Sequence, residues 1–293
     1  MSAAARVQLS FFLPSPALQP YISSFYLTEI DLPPGQRITD WMLPEWASLR
    51  MSREGDCMAA IGSDPERTTG QMMATGPTSM ATRITIGKAR VWGVGILPPG
   101  WGRFIATPAA AHADRFCDGG SDPAWAALAP MLELAFDGDP APAEAAARMD
   151  RYLLDQLASR PAGEDEPRIR AAHRWLVSEQ IGTVAEFAAL LDLSPRTLER
   201  FCLRAFGFPP KLLLRRQRFS RSLGQFLLNP GMTWLETLDQ HYVDQAHFVR
   251  DFRRFMGMNP STYAAADHPL LRATAGARAA AVGGAVQALH QPG

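Results

Sequence analysis

The 293-residue chain is poor in the residues from which metal centres, disulfide frameworks and catalytic elbows are built. Its three cysteines, Cys57, Cys117 and Cys202, are an odd number with no close pair. That excludes a Cys-x-x-Cys redox or zinc motif and suits reduced thiols in a cytoplasm. His112 is the one histidine before residue 168, whereas barrels that hold a metal use several imidazoles. The stretch AHAD adds Asp114 to His112, a pair better read as structural than as a ligand set. There is no phosphate loop and no Gly-x-Ser-x-Gly elbow. Neither an enzyme, a metal nor a cofactor is therefore expected. No run of eighteen apolar residues occurs, and the N-terminus lacks a basic stretch followed by an apolar core. A membrane span and a signal peptide are not expected, and a cytoplasmic location is.

Net charge is also lacking, but the zero conceals a split. Residues 1–167 hold 13 Lys+Arg against 20 Asp+Glu, while residues 168–268 hold 14 against 9. An acidic front and a basic back fit a chain whose C-terminal part alone meets nucleic acid.

The basic part contains an internal repeat. At an offset of fifty residues, LSPRTLERFCLRAFGFPP aligns with VDQAHFVRDFRRFMGMNP. Ser194 falls on Asp244, Leu198 on Phe248, Arg200 on Arg250, Arg204 on Arg254, Gly207 on Gly257 and Pro210 on Pro260. Each copy thus has an N-cap, an apolar stripe, two arginines and a Gly…Pro stop, the pattern of an amphipathic helix. In the first the stripe is Leu198, Phe201, Cys202 and Ala205; in the second it is Phe248, Phe252 and Phe255. A shorter helical pattern precedes each copy, at 183–193 and 233–243, with breaks at Asp192 and His241. Two helix-turn-helix units, joined by a long helix from about Pro210 to Leu228, are expected.

Region 168–266 resembles the DNA-binding domain of the AraC/XylS family of bacterial transcription regulators. The stretches LSPRTLERFCLRAFG, KLLLRRQRFSRS and DQAHFVRDFRRFMGMNP carry the likeness, over roughly a third of the chain. The family usually has glycine at both turns, where this chain has Asp192 and His241. The resemblance implies double-stranded DNA as partner and places base reading at Arg196, Glu199 and Arg200. Arginine suits guanine O6 and N7, and a carboxylate suits cytosine N4. On the second helix Gln245, Ala246, His247 and Arg250 are the outward candidates, with Arg250 foremost. Thr197, Arg204, Lys211, Arg253 and Arg254 are expected on phosphates. The long helix would hold the recognition helices about 34 Å apart, one DNA turn.

The front part alternates short apolar runs with Gly/Pro punctuation from Val7 to about Pro108, as a small antiparallel sandwich or barrel does. Helices are expected at 122–136 and 142–159. The whole reads as an α+β multidomain chain: a β-rich, cupin-like sensor with flanking dimerisation helices (1–159), a linker (160–167), an all-α domain with two helix-turn-helix units (168–267), and a flexible tail (268–293). Trp41, Trp46, Trp92 and Trp101 with Arg50, Arg83 and Arg103 could line a ligand pocket, although tryptophans in a small β domain are mostly core. The expected function is transcription regulation as a homodimer, with a small-molecule effector and RNA polymerase as further partners. Two alternatives stand beside it: a DNA-tethered enzyme of the repair type, and a helical domain that binds protein through its basic face.

Overall fold

The computed structural model describes residues 6–54, 57–105, 107–228, 231–234 and 236–274. Among the described residues, ten strands occupy the N-terminal part: β1 (Arg6–Phe12), β2 (Ile22–Asp31), β3 (Ile38–Met42), β4 (Ser48–Met51), β5 (Cys57–Ile61), β6 (Arg67–Thr68), β7 (Met72–Thr75), β8 (Thr82–Ile86), β9 (Ala89–Ile96) and β10 (Phe116–Asp118). They form a six-stranded sheet in the order β1-β2-β9-β4-β7-β10 and a four-stranded sheet β3-β8-β5-β6. Side-chain alternation gives the larger sheet two different faces. Phe25, Leu27, Leu49, Met51, Trp92 and Val94 pack on one side against the helical layer α1 (Pro98–Phe104), α2 (Met131–Phe136) and α3 (Pro142–Ser159). Tyr26, Thr28, Arg50, Met73 and Val91 look the other way, toward Ile84 and Ile86 of the smaller sheet, across a cavity. Glycine is required at position 93, because a Cβ there would lie 1.9 Å from the Tyr26 ring across the ladder.

Two local readings of the front part are revised. LPPGWG, which looks like a turn, starts α1, with proline at a position whose amide needs no intrahelical partner. The stretch 122–136 is not one helix but a 3-10 turn (Pro123–Leu128) followed by α2, since Pro130 lacks the amide that would continue the ladder.

The C-terminal part is helical: α4 (Glu166–Val177), α5 (Val184–Leu190), α6 (Pro195–Phe206), α7 (Pro210–Leu228), α8 (Gln245–Met256) and α9 (Pro260–Ala265). A capping box fixes the start of α5, Thr183 Oγ1 accepting from the Glu186 amide while Glu186 accepts from the Thr183 amide. Asp192 then turns the chain at φ +51°, a left-handed conformation that Asp tolerates, so the first unit has the turn in which the resembled family uses glycine. His241 is not among the residues with positive φ.

The second unit departs from expectation. Thr233 and Glu236 form half of such a cap, the carboxylate accepting from the Thr233 amide and hydroxyl, yet the described residues of 233–243 make turns and no helix. The cause is the fate of Asp239: its amide goes to Ser222 Oγ at 2.8 Å and its carboxylate to Arg221 and to the His241 amide. Backbone and side chain are thereby pinned to α7 rather than to a helical ladder. Residues 269–274 are also helical, with Leu270 and Leu271 buried, which corrects the expectation of a frayed tail from residue 268. The rest of that tail, 275–293, lies outside the described residues.

The two parts are packed together. Arg216 of α7 is 2% exposed, its guanidinium 3.9 Å over the Trp46 ring, donating to the carbonyls of Thr78 (2.9 Å) and Glu45 (3.3 Å). Burial lowers its pKa against the pull of Asp114 and Glu45, and guanidinium remains charged at neutral pH. The Ala81 amide donates to the Phe255 carbonyl at 2.6 Å. His268 lies between two acceptors, the Asp40 carboxylate at Nδ1 (2.9 Å) and the Tyr263 carbonyl at Nε2 (2.8 Å). Both ring nitrogens must carry protons there, so the group is an imidazolium. Burial alone would lower the His268 pKa; Asp40 and the Tyr263 carbonyl outweigh burial and the opposing Arg272, and the net shift is upward. The contact is therefore at full strength below the unfolded imidazole pKa of about 6.5 and is lost as pH rises through the higher folded value. The urea midpoint of the full chain should fall as pH increases from about 6 toward 9. His268→Gln should flatten that profile, and an unchanged profile would remove the imidazolium from the account.

Candidate nucleic-acid interface

Helices α6 and α8 have the same length and the same construction. Ser194 Oγ accepts from the Thr197 amide at 3.3 Å and Asp244 accepts from the His247 amide at 2.6 Å. Both helices end on left-handed glycine, Gly207 at φ +84° and Gly257 at φ +72°. Leu198, Phe201, Cys202, Ala205 and Phe206 are buried on α6, as are Phe248, Phe252, Phe255 and Met256 on α8. The opposite faces are largely exposed. Arg196, Glu199 and Arg200 are exposed on α6, and Gln245, Ala246, Arg250, Arg253 and Arg254 on α8. Lys211 is exposed in the first turn of α7.

Some expected contact residues are engaged locally. Thr197 is half-buried, its hydroxyl 2.9 Å from Ser194 Oγ. Arg204 is paired with Asp165, and Arg253 is bonded to Asn259 Oδ1. His247 is half-buried, with its ring edge-on to Tyr242 and Nε2 3.9 Å from Asp251. Arg200 and Arg250, at equivalent positions of the repeat, are both exposed.

What sets the direction of these faces is a group of charges that periodicity did not single out. Asp251 interrupts the apolar face of α8 and is fully buried; Arg215 of α7 donates to Oδ1 and the Tyr242 hydroxyl to Oδ2 at 3.2 Å. Arg221 of α7 joins Asp239 and the Ser178 carbonyl (3.2 Å). The basic run of α7 is thus turned inward for much of its length. Only the rarity of unpaired buried carboxylates could have hinted at Asp251.

With that geometry in view, residues 187–266 match a family described as "Helix-turn-helix domain". This region is an AraC-type helix-turn-helix domain. No curated protein matches the chain. Among solved structures, ToxT from Vibrio cholerae is 10% identical, with 89% of this chain and 98% of that one covered at a TM-score of 0.47. ToxT bound to (E)-4-(8-methylnaphthalen-1-yl)but-3-enoic acid gives 10% identity, the same coverage and a TM-score of 0.46. The AraC-like transcriptional activator CuxR is 14% identical, with 80% and 89% covered and a TM-score of 0.27. All three scores lie below 0.5.

Away from the AraC-type domain, the sensor-side candidates divide. Trp46, Trp92 and Trp101 are buried core and Trp41 is half-buried. Arg83 pairs with Glu66 and Arg103 with Glu166, while Arg50 faces the cavity between the sheets. Asp114 binds the Ser79 amide and hydroxyl rather than joining His112. Instead His112, Cys117 and Asp122 bring ligand atoms within 4.8 Å of one another, a donor set of the kind that holds zinc. Burial, then Asp122, pushes the Cys117 thiol up to about 12, so it is protonated at neutral pH.

Removing Asp251 tests how α8 is held. Asp251→Ala should destabilise the C-terminal domain by about 3 kcal/mol, because breaking a buried pair strands its partner. Asp251→Asn should cost less. Urea unfolding followed by tryptophan fluorescence measures both, and a loss within experimental error for Asp251→Ala would show that α8 is seated by its phenylalanines alone.

Proposed function

We propose that the chain is a sequence-specific DNA-binding transcription regulator that lays α6 and α8 into successive major grooves, under the control of an effector at its N-terminal domain. The observation that carries this reading is the pair of matched helices with buried apolar undersides and exposed arginines at equivalent positions, Arg200 and Arg250. Arg196, Glu199, Arg200, Gln245, Ala246 and Arg250 are the proposed base readers, with His247 shared between Asp251 and DNA. Arg204, Lys211, Arg253 and Arg254 are the proposed phosphate contacts, and Thr197 serves its cap first. For Arg204 this requires exchange of its surface ion pair with Asp165 for a phosphate, at small cost, since such pairs contribute little; for Arg253 it requires exchange of the neutral Asn259 amide oxygen, a weaker acceptor than a phosphate. No helix among the described residues is long and apolar enough to cross a membrane.

The reading extends to a cytoplasmic, non-enzymatic protein that forms a homodimer through its N-terminal part and acts on RNA polymerase from the bound site. An AraC-type domain does not favour the alternative of a DNA-tethered repair enzyme.

Selection from a random-sequence duplex pool should recover a site with two separated blocks of preference. Affinity for it should fall with salt at a log-log slope of about −0.9 per phosphate neutralised. Arg200→Ala and Arg250→Ala should each lose about 1–3 kcal/mol on that site and relax one base position. Arg254→Ala should instead weaken all sequences alike and reduce the slope by about one. Salt-independent binding would point to a protein partner.

A further inference from the structure

The cavity between the two sheets has a volume of about 120 Å³. Its walls are chiefly apolar, from Leu9, Phe11, Ile30, Met73, Ile84 and Ile86, with the hydroxyls of Ser23 and Thr28 among them. Cavities near this size, about 150 Å³, hold benzene when dry and apolar. The space therefore suits a molecule of one ring or a short chain.

Charge narrows the class. Among the described lining residues the one cation is Arg50, which is buried and already engaged: it donates to Glu45 Oε1 (2.8 Å) and Oε2 (2.9 Å) and to Ser48 Oγ (2.6 Å). Burial opposes its charge, but Glu45 outweighs burial and raises its pKa. Glu45 lines the cavity as well and neutralises the guanidinium, so an anionic ligand would be desolvated beside a carboxylate with no uncompensated cation to receive it, which is unfavourable. A neutral molecule meets no such obstacle.

The last wall comes from the other end of the chain. Leu270, Leu271 and Thr274, on the helical turn that follows the DNA-binding domain, line the same cavity. Leu270 belongs to the apolar cluster of Ile30, Ile84 and Ile86, whereas its neighbour Leu271 belongs to that of Phe248, Phe252 and Phe255. Asp40 fixes this turn by accepting the Leu271 amide at 2.9 Å. One turn of helix thus joins the inside of the sensor to the core beneath the second recognition helix.

We propose that this cavity binds a small, uncharged, chiefly apolar molecule, and that helix 269–274, as part of its wall, transmits occupancy to α8. The proposal rests on the regulator reading and adds the ligand class and the route of control. Phenol, indole and hexanol serve as neutral probes, with benzoate and hexanoate as their charged counterparts, in thermal-shift and amide hydrogen-exchange measurements on the full chain. The neutral probes should raise the melting temperature and the carboxylates should not. At ten times its dissociation constant a probe should slow exchange in 245–256 about tenfold, where opening requires its release. Leu270→Ala, measured at ten times its own dissociation constant for each probe, should leave exchange in 245–256 unchanged, and Ile84→Phe, which fills the cavity from the sheet side, should abolish binding.

Preference for the carboxylates overturns the neutral class. Unresponsive exchange in the wild-type chain, or an equal response in Leu270→Ala, overturns the route. Absence of any probe binding overturns the site. Binding of the same preparations to the selected duplex is measured alongside, so that retained DNA binding leaves the regulator reading standing when the cavity proposal fails, and lost DNA binding removes both.

Discussion

Inward-turned charge on α7 is the constraint on which the architecture depends. Arg215 reaches the buried carboxylate of α8, Arg221 reaches Asp239 in the second unit, and Arg216 lies on Trp46 under two carbonyls of the N-terminal part. Each of these cations is buried or partly buried with a specific acceptor, and removing a partner from such a pair costs more than the pair contributes. The spacer helix consequently has few ways to sit, and the directions of α6 and α8 follow from it. Apolar packing supplies the bulk of the adhesion, but it is tolerant of rotation; the oriented guanidinium contacts are not.

The same logic separates two kinds of arginine on neighbouring helices. Arg200 and Arg250 stand exposed on the far side of an apolar stripe, whereas Arg216 and Arg221 are enclosed by the N-terminal part and the second unit. Composition counts them alike. Only the former retain donors for a base edge or a phosphate.

Legibility in the sequence followed the range of the interaction. The bounds of α6, α7 and α8 were readable because Ser194, Asp244, Gly207, Gly257, Pro195 and Pro210 act within one turn of where they stand. The apolar stripes were readable because 3.6-residue periodicity is local. What was missed is long-range or competitive. The segment 233–243 carries half of a helix cap, yet Ser222 and Arg221 hold Asp239 outside any ladder. Leu270 and Leu271 looked like the start of an Ala-, Gly- and Arg-rich flexible tail, yet Asp40, 231 positions upstream of Leu271, holds this turn against the N-terminal part. In the candidate interface the exposed positions were foreseen from the stripe, while the local engagement of Thr197, Arg204 and Arg253 depends on Ser194, Asp165 and Asn259 in three dimensions.

The account stands on α7 presenting two reading heads from a single chain. Dimethyl sulfate methylation interference on the selected duplex, which reports guanine N7 in the major groove, tests this most directly. Two interference clusters on one face, about 10 base pairs apart for each bound chain, are the predicted result. A single cluster per chain, with Arg200→Ala and Arg250→Ala perturbing the same bases, would contradict it.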